Sequence, residues 1–219
     1  VTLGTDATQT VETDTLNVTA KGAISVYEAD ALTINSLSSS DREAITVLAG
    51  GNLTVNAPIT AATNKAVSIR TTAGLLILTA PITTVTGDID IGATVGIQMS
   101  GEADLTSTSG NISMAAGNGI LLMSGETEIN AGSGLVSLSA QGNITLNQNN
   151  QVAGIGPFYI KGENGDSDFS FNNTGGGLRI SGDIGTSNGS VTIKTAGGLL
   201  DLQSFNIKAG EYLTNGGGN

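Results

Sequence analysis

The sequence repeats short apolar–polar–apolar triplets at an interval that drifts slowly from 21 to 24 residues. The triplets that open successive repeats begin at Ile24, Ile45, Val67, Ile89, Ile112 and Val136. Alternation with a period of two predicts a β-strand with one buried face. A recurring interval of about 20 to 50 residues is typical of proteins that stack one small unit many times. The repeat therefore restricts the chain to a stacked architecture built from strands.

Each repeat carries two further short strands. The second strand begins at Leu32, Leu53, Leu76, Ile97, Ile120 and Ile144. The third strand is centred near Leu37, Ile59, Ile82, Leu105 and Ile129. The pattern breaks once and then resumes, where Phe169, Leu178 and Ile184 align with Val191, Leu200 and Ile207. No stretch shows the 3.6-residue period of an amphipathic helix.

A unit of three short strands has no means of burying its apolar face alone. Winding the chain into a coil lets each strand pair in parallel with the equivalent strand one turn later, so that inward Val, Ile and Leu form columns. The sequence predicts an all-β fold, a right-handed parallel β-helix (β-solenoid) of about 8–9 coils of 21–24 residues with three short strands each. Coils spaced about 4.8 Å apart give a rod on the order of 40 Å long.

A glycine recurs immediately before a strand, in GNLTV at 51–55, GNISM at 110–114 and GNITL at 142–146. We expect a sharp corner at these places. Gly and Asn tolerate positive φ better than other residues, so we expect them to supply it at the corner.

The repeat covers most of the chain and predicts a single β-solenoid domain over residues 1–219. An irregular insertion near 148–168 and a Gly-rich tail over 212–219 depart from it. Insertions in stacked folds emerge as loops, often on the binding face. The alternative is that Phe158 and Tyr159 of this insertion fill a wider coil.

Composition excludes several classes of function. The formal net charge is -11, with only 8 Lys and Arg, which argues against binding nucleic acid or anionic membranes. There is no His, so a Ser-His-Asp triad and His-ligated zinc are excluded. No apolar run approaches the roughly 20 residues of a membrane helix, so we expect no membrane insertion. The sequence predicts no organic cofactor.

Two groups of acidic residues are candidate sites. The segment KGENGDSD (161–168) gathers hard oxygen ligands, Glu163, Asn164, Asp166 and Asp168, which suit Ca²⁺. A solvated polar loop is the alternative reading. Separately, Asp88 and Asp90 share the outward face of a strand, with Glu102, Asp104 and Glu126 expected nearby. Paired carboxylates can catalyse acid–base chemistry on sugars, but a charged solvent face that discourages aggregation is the favoured interpretation.

The segments GGNLTVNAPIT, AGLLILTAPIT, SGNISMAAGNGILLMSG and GSGLVSLSAQGNITLN resemble the repeat region of filamentous-haemagglutinin-like bacterial exoproteins. The resemblance covers roughly residues 16–210. It implies an extracellular location at the bacterial cell surface and the shaft of an adhesin or biofilm filament. The Asn-Pro-Asn motifs of the family's secretion domain are absent, so the resemblance implies a shaft segment and transfers no functional residue.

The resulting expectation is a non-enzymatic structural or adhesive shaft whose open ends contact copies of itself or further coils of the same polypeptide. Host or matrix glycans are expected as further partners, and nucleic acid is not. Two alternatives stay open. One is a carbohydrate-active β-helix, a lyase or hydrolase, and the other is a carbohydrate-binding module that acts through residues 148–171.

Overall fold

The structure, a computed structural model, describes residues 1–4, 12–160, 167–186 and 189–209. Within these residues the chain forms strands and no helix. The first strands are β1 (Thr2–Leu3), β2 (Thr15–Ala20), β3 (Ile24–Glu28), β4 (Leu32–Ser39), β5 (Ile45–Ala49), β6 (Leu53–Val55), β7 (Ile59–Thr60), β8 (Val67–Thr71), β9 (Leu75–Leu78), β10 (Ile82–Thr84), β11 (Ile89–Ala93) and β12 (Gly96–Met99). The remaining strands are β13 (Leu105–Ser107), β14 (Ile112–Ala116), β15 (Leu121–Met123), β16 (Ile129–Ala140), β17 (Ile144–Ile160), β18 (Phe169–Asn173), β19 (Leu178–Ile180), β20 (Ile184–Thr186), β21 (Val191–Thr195), β22 (Leu200–Asp201) and β23 (Ile207–Lys208).

All pairings are parallel and join a strand to its equivalent one coil later, which confirms the predicted β-solenoid. The first ladder runs β1-β3-β5-β8-β11-β14-β16-β17-β20-β23. The second ladder runs β2-β4-β6-β9-β12-β15-β17-β18-β21. The third ladder runs β7-β10-β13-β16-β17-β19-β22. The ten described strands of the first ladder correspond to about nine turns.

The core consists of columns of aliphatic side chains that follow these ladders. In the first ladder, Val47, Ile69 and Ile91 stack in register, and each is at most 1% exposed. Fully burying one such side chain stabilises the fold by about 1.5–3 kcal/mol. Near the C-terminal end, Phe169 and Phe171 take the inward positions of the second ladder, with stacked rings whose centroids lie 6.5 Å apart.

The predicted registers hold on both sides of the break. Phe169 pairs with Val191, Leu178 with Leu200, and Ile184 with Ile207. These alignments are therefore confirmed.

One inward position differs from the prediction. Leu121, not Ile120, pairs with Ile97 and Ile144, and Ile120 is 40% exposed. The corner of this coil holds one residue more than its predecessor, which moves the apolar–polar alternation by one position.

The role expected for the glycine of the Gly-Asn corners is wrong. Gly51, Gly110 and Gly142 all have φ outside the left-handed region, as do the asparagines that follow them. A Cβ on Gly110 would instead lie 2.1 Å from the carbonyl oxygen of Gly87, one coil earlier. Each of these corners stacks directly on the corner of the preceding coil, so glycine is required by the close approach of two backbones.

The irregular region is only partly described. Residues 148–160 belong to β17, which shifts register several times against β16 and contains Gly156 at φ 124°. Because β17 contributes to all three ladders, the chain passes its corners here in extended form. Residues 161–166 and the expected Gly-rich tail over 212–219 lie outside the described residues.

Candidate functional site

Polar side chains at the corners connect each coil to the next. In the described part of the chain, an Asn or Asp Oδ1 accepts a backbone N–H from a residue 22–25 positions later, at 2.8–3.0 Å. These acceptors, which we call the corner acceptors, are Asn52, Asp88, Asp104, Asn111, Asn143, Asp168 and Asp183. The side chains thus satisfy main-chain donors that a sharp corner takes out of the regular ladder.

The corner acceptors share one position in the sequence. Each directly precedes a fully buried apolar residue that begins a strand: Leu53, Ile89, Leu105, Ile112, Ile144, Phe169 or Ile184. Some also act in succession. Asp88 accepts the N–H of Asn111, whose own Oδ1 accepts the N–H of Leu135 in the following coil. Sequence reasoning assigned these asparagines to turn conformation, although their recurrence before a buried residue was visible as a signal.

Replacing one corner acceptor should weaken the contact between two coils. Asn52 Oδ1 accepts the N–H of Leu75 at 2.9 Å, and alanine removes this acceptor. We expect Asn52→Ala to lower the free energy of unfolding by about 1 kcal/mol, measured by urea denaturation.

Asn118 provides the matched control. It is an exposed asparagine whose side chain makes no hydrogen bond to the described residues. Asn118→Ala should change the free energy of unfolding by less than about 0.5 kcal/mol. Equal effects of the two substitutions would show that the hydrogen bond of Asn52 contributes nothing.

Of the four predicted Ca²⁺ ligands, only Asp168 lies in the described part of the chain. Glu163, Asn164 and Asp166 lie outside it. Asp168 Oδ1 accepts both the backbone N–H and the hydroxyl of Ser190 at 2.8 Å. Within the described residues, no group of three or more acidic side chains is arranged to hold a metal ion. Calcium binding at this segment stays a prediction.

The contacts with Ser190 make Asp168 sensitive to acid. The backbone hydrogen bond from Ser190, followed by that from its hydroxyl, lowers the pKa of Asp168 below its ordinary value of 3.8. A carboxyl whose pKa is lowered by folding contributes stability above its unfolded pKa and loses it as the pH falls through the folded pKa. The stabilising effect of this charge is therefore present at neutral pH and disappears in acid.

Asp168→Asn keeps the acceptor oxygen and removes the titration. We expect the wild-type protein to have the higher urea midpoint at about pH 6, with the difference shrinking as the pH falls below the ordinary pKa of 3.8. Because the other carboxyl groups are the same in both proteins, the difference isolates Asp168. A difference that stays constant from pH 6 to pH 2 would contradict this role.

Asp90 lies on the outward face of β11, and Asp88 is exposed directly before that strand, so both point outward as predicted, but each has a structural partner. Asp90 forms a bidentate pair with Arg70 of the preceding coil, at 2.8 Å from Nε and 2.7 Å from Nη2. Gly92 leaves room for this guanidinium group, since a Cβ there would lie 2.9 Å from Arg70 Nη1. Asp90 therefore joins its coil to the preceding coil, and Asp88 joins it to the following coil.

The other expected carboxylates lie in two successive coils. Asp104 accepts the N–H of Glu128 at 2.8 Å. Glu102 and Glu126 occupy exposed turns of successive coils. All three lie at the corner between the second and third strands of a coil, whereas Asp88 lies at the corner between a third and a first strand, so the two groups occupy different corners.

The buried carboxylate of Glu28 was not among the residues that the sequence singled out as candidate sites. Glu28 is 2% exposed, and its two oxygens accept the backbone N–H groups of Thr13 and Ala29 at 3.0 and 2.9 Å. It therefore fixes the chain that leads into β2 against the end of β3. Nothing local in the sequence distinguishes it from the exposed Asp30 nearby.

Comparison with protein-family models, curated proteins and solved structures finds no match to this chain. None of the described residues form a helix that is long and apolar enough to span a membrane.

Proposed function

We propose that this protein is a non-enzymatic structural shaft of an extracellular bacterial adhesin or surface filament. The observation that carries the proposal is the use made of the polar corner side chains. The carboxylates and amides that would serve a reaction centre accept main-chain hydrogen bonds from the next coil instead. The hydrogen-bonding capacity of these side chains therefore holds successive coils together.

The mechanism of such a shaft is mechanical. Three parallel ladders run along the axis, aliphatic columns fill the interior, and the corner acceptors join coil to coil. Bending the rod would stretch hydrogen bonds and separate packed side chains on its outer side at the same time. A rod of this kind would hold a binding element away from the cell surface.

The proposal is tested by measuring protease resistance and enzymatic activity on one preparation. We expect the ladders to resist trypsin and a nonspecific protease, because extended strands paired on both sides do not enter a protease active site. We also expect no reducing-sugar release from a panel of acidic and neutral polysaccharides.

Two outcomes would favour the alternatives. Sugar release that is saturable and is lost in Asp88→Asn or Asp90→Asn would identify a carbohydrate-active enzyme. Binding on a glycan array that disappears when residues 161–168 are deleted would identify a carbohydrate-binding module.

A further inference from the structure

Asn118 and Gly119 form a corner of the rod at which two groups that can react with each other are free. The dipeptide Asn-Gly occurs four times in the sequence, and Asn118–Gly119 is the occurrence whose two residues both lie in the described part of the chain. Asn118 is exposed, and within the described residues neither its side chain nor the N–H of Gly119 makes a hydrogen bond. The side-chain amide and the next backbone nitrogen are therefore both available.

The chain is anchored on either side of this peptide bond. The N–H of Asn118 donates to Thr94 O in the preceding coil at 2.6 Å, and Gly119 O accepts the N–H of Gly142 in the following coil at 2.8 Å. The peptide nitrogen that joins Asn118 to Gly119 lies between these two hydrogen bonds. A reaction at that nitrogen therefore breaks neither of them.

Asn143 shows how the same reaction is blocked at another corner. Its Oδ1 accepts the N–H of Asp168 at 2.9 Å. The N–H of the next residue, Ile144, donates to Asp168 O at 2.9 Å. Attack of the Ile144 nitrogen on the side-chain amide of Asn143 would break both hydrogen bonds, which raises the barrier of the reaction. The fold thus protects Asn143 and leaves Asn118 open.

We propose that Asn118 is a site of spontaneous deamidation in the folded protein. The electron pair of the Gly119 nitrogen forms a bond to Asn118 Cγ, the bond from Cγ to Nδ2 breaks, and Nδ2 leaves as ammonia with the proton of the Gly119 N–H. The product is a cyclic imide (succinimide). Water then opens either of its two carbonyl bonds and gives aspartate or isoaspartate. The sum consumes one water and releases one ammonia, and no oxidant or reductant is needed.

The two products change the corner differently. Aspartate adds one negative charge to a protein whose net charge is already -11. Isoaspartate also routes the main chain through the side-chain carbon, which lengthens it by one atom between the two anchoring hydrogen bonds. A Cβ built on Gly119 already lies 1.6 Å from the carbonyl oxygen of Val95, so this corner has no room for a longer chain. Deamidation should therefore loosen the stacking of these coils as the protein ages.

Peptide mapping by mass spectrometry, on protein kept at mildly alkaline pH, measures the reaction at each asparagine. Ser109→Asn provides the matched control, because Ser109 is exposed and precedes Gly110, whose N–H donates to Ser107 Oγ at 2.9 Å. In the folded variant, Asn118 should react at least about fivefold faster than the introduced asparagine, because only the latter reaction breaks a hydrogen bond. In urea, the two rates should agree within about twofold.

Urea denaturation of aged protein tests the structural consequence. We expect aged wild-type protein to have a lower urea midpoint than fresh protein. Asn118→Gln should keep its midpoint on ageing, because glutamine would have to close a larger ring. Both proteins contain the other three Asn-Gly sequences, so the comparison isolates residue 118. An unchanged midpoint in deamidated wild-type protein would contradict the predicted loosening.

Two results would overturn the proposed site. In the first, Asn118 keeps its mass in the folded protein but deamidates in urea, which would show that the stacked corner prevents ring closure. In the second, the asparagine introduced by Ser109→Asn reacts as fast as Asn118 in the folded protein, which would show that the free N–H of Gly119 is not what permits the reaction. Neither result bears on the proposed shaft function, because the reaction is no part of it.

Discussion

Gly119→Ala should destabilise the protein by at least about 3 kcal/mol, although it adds a single methyl group. A Cβ on Gly119 would lie 1.6 Å from the carbonyl oxygen of Val95, in the preceding coil. That oxygen belongs to the backbone, so relief requires two coils to move apart at a corner. Because φ of Gly119 is outside the left-handed region, alanine suffers no conformational strain there, and the effect measures the close approach alone.

Gly22→Ala is the matched control for this substitution. Nothing lies within 4 Å of a Cβ built on Gly22, and its φ is also outside the left-handed region. Alanine there should be neutral or stabilise the fold by up to about 1 kcal/mol, because it restricts the unfolded chain. Urea denaturation of both variants checks the prediction. Equal stability of the two would mean that the corners are not stacked as closely as described.

Phe171→Ala should cost about 3–5 kcal/mol and should act mainly on the C-terminal coils. Phe171 is 0% exposed, pairs with Leu146 below and Ile193 above, and stacks on Phe169. The column contains one side chain per coil, so alanine leaves a cavity between Leu146 and Ile193. Since each coil contacts only the adjacent coils, the loss should loosen the nearest turns before it affects distant ones.

Hydrogen exchange resolves the location of this effect. We expect the protection of backbone amides against exchange to fall first in β18 and β21. The amides of the strands from β5 to β12 should keep their protection. Phe171→Leu, which refills most of the cavity, should recover more than half of the lost stability. Uniform loss of protection along the rod would contradict the coil-by-coil coupling.

Much of the architecture follows from the sequence because a solenoid repeats its own register. Alternation decides which side chains face inward, and a nearly constant interval decides which strand lies above which. The pairings of Phe169 with Val191 and Ile184 with Ile207 could therefore be predicted without coordinates. The position of Ile120 was mispredicted because the length of a corner has no periodic signal.

The sequence by itself determined a helix-free parallel coil and the identity of most of its core, because both depend on periodicities carried by the chain. Only the tertiary structure decided what the Gly-Asn corners do and how Glu28 is used. The glycine of such a corner meets a backbone about one coil away, and the asparagine accepts a hydrogen bond from a residue 23 or more positions later. Contacts of that kind exist only once successive turns have stacked, so no local preference of the residues reveals them.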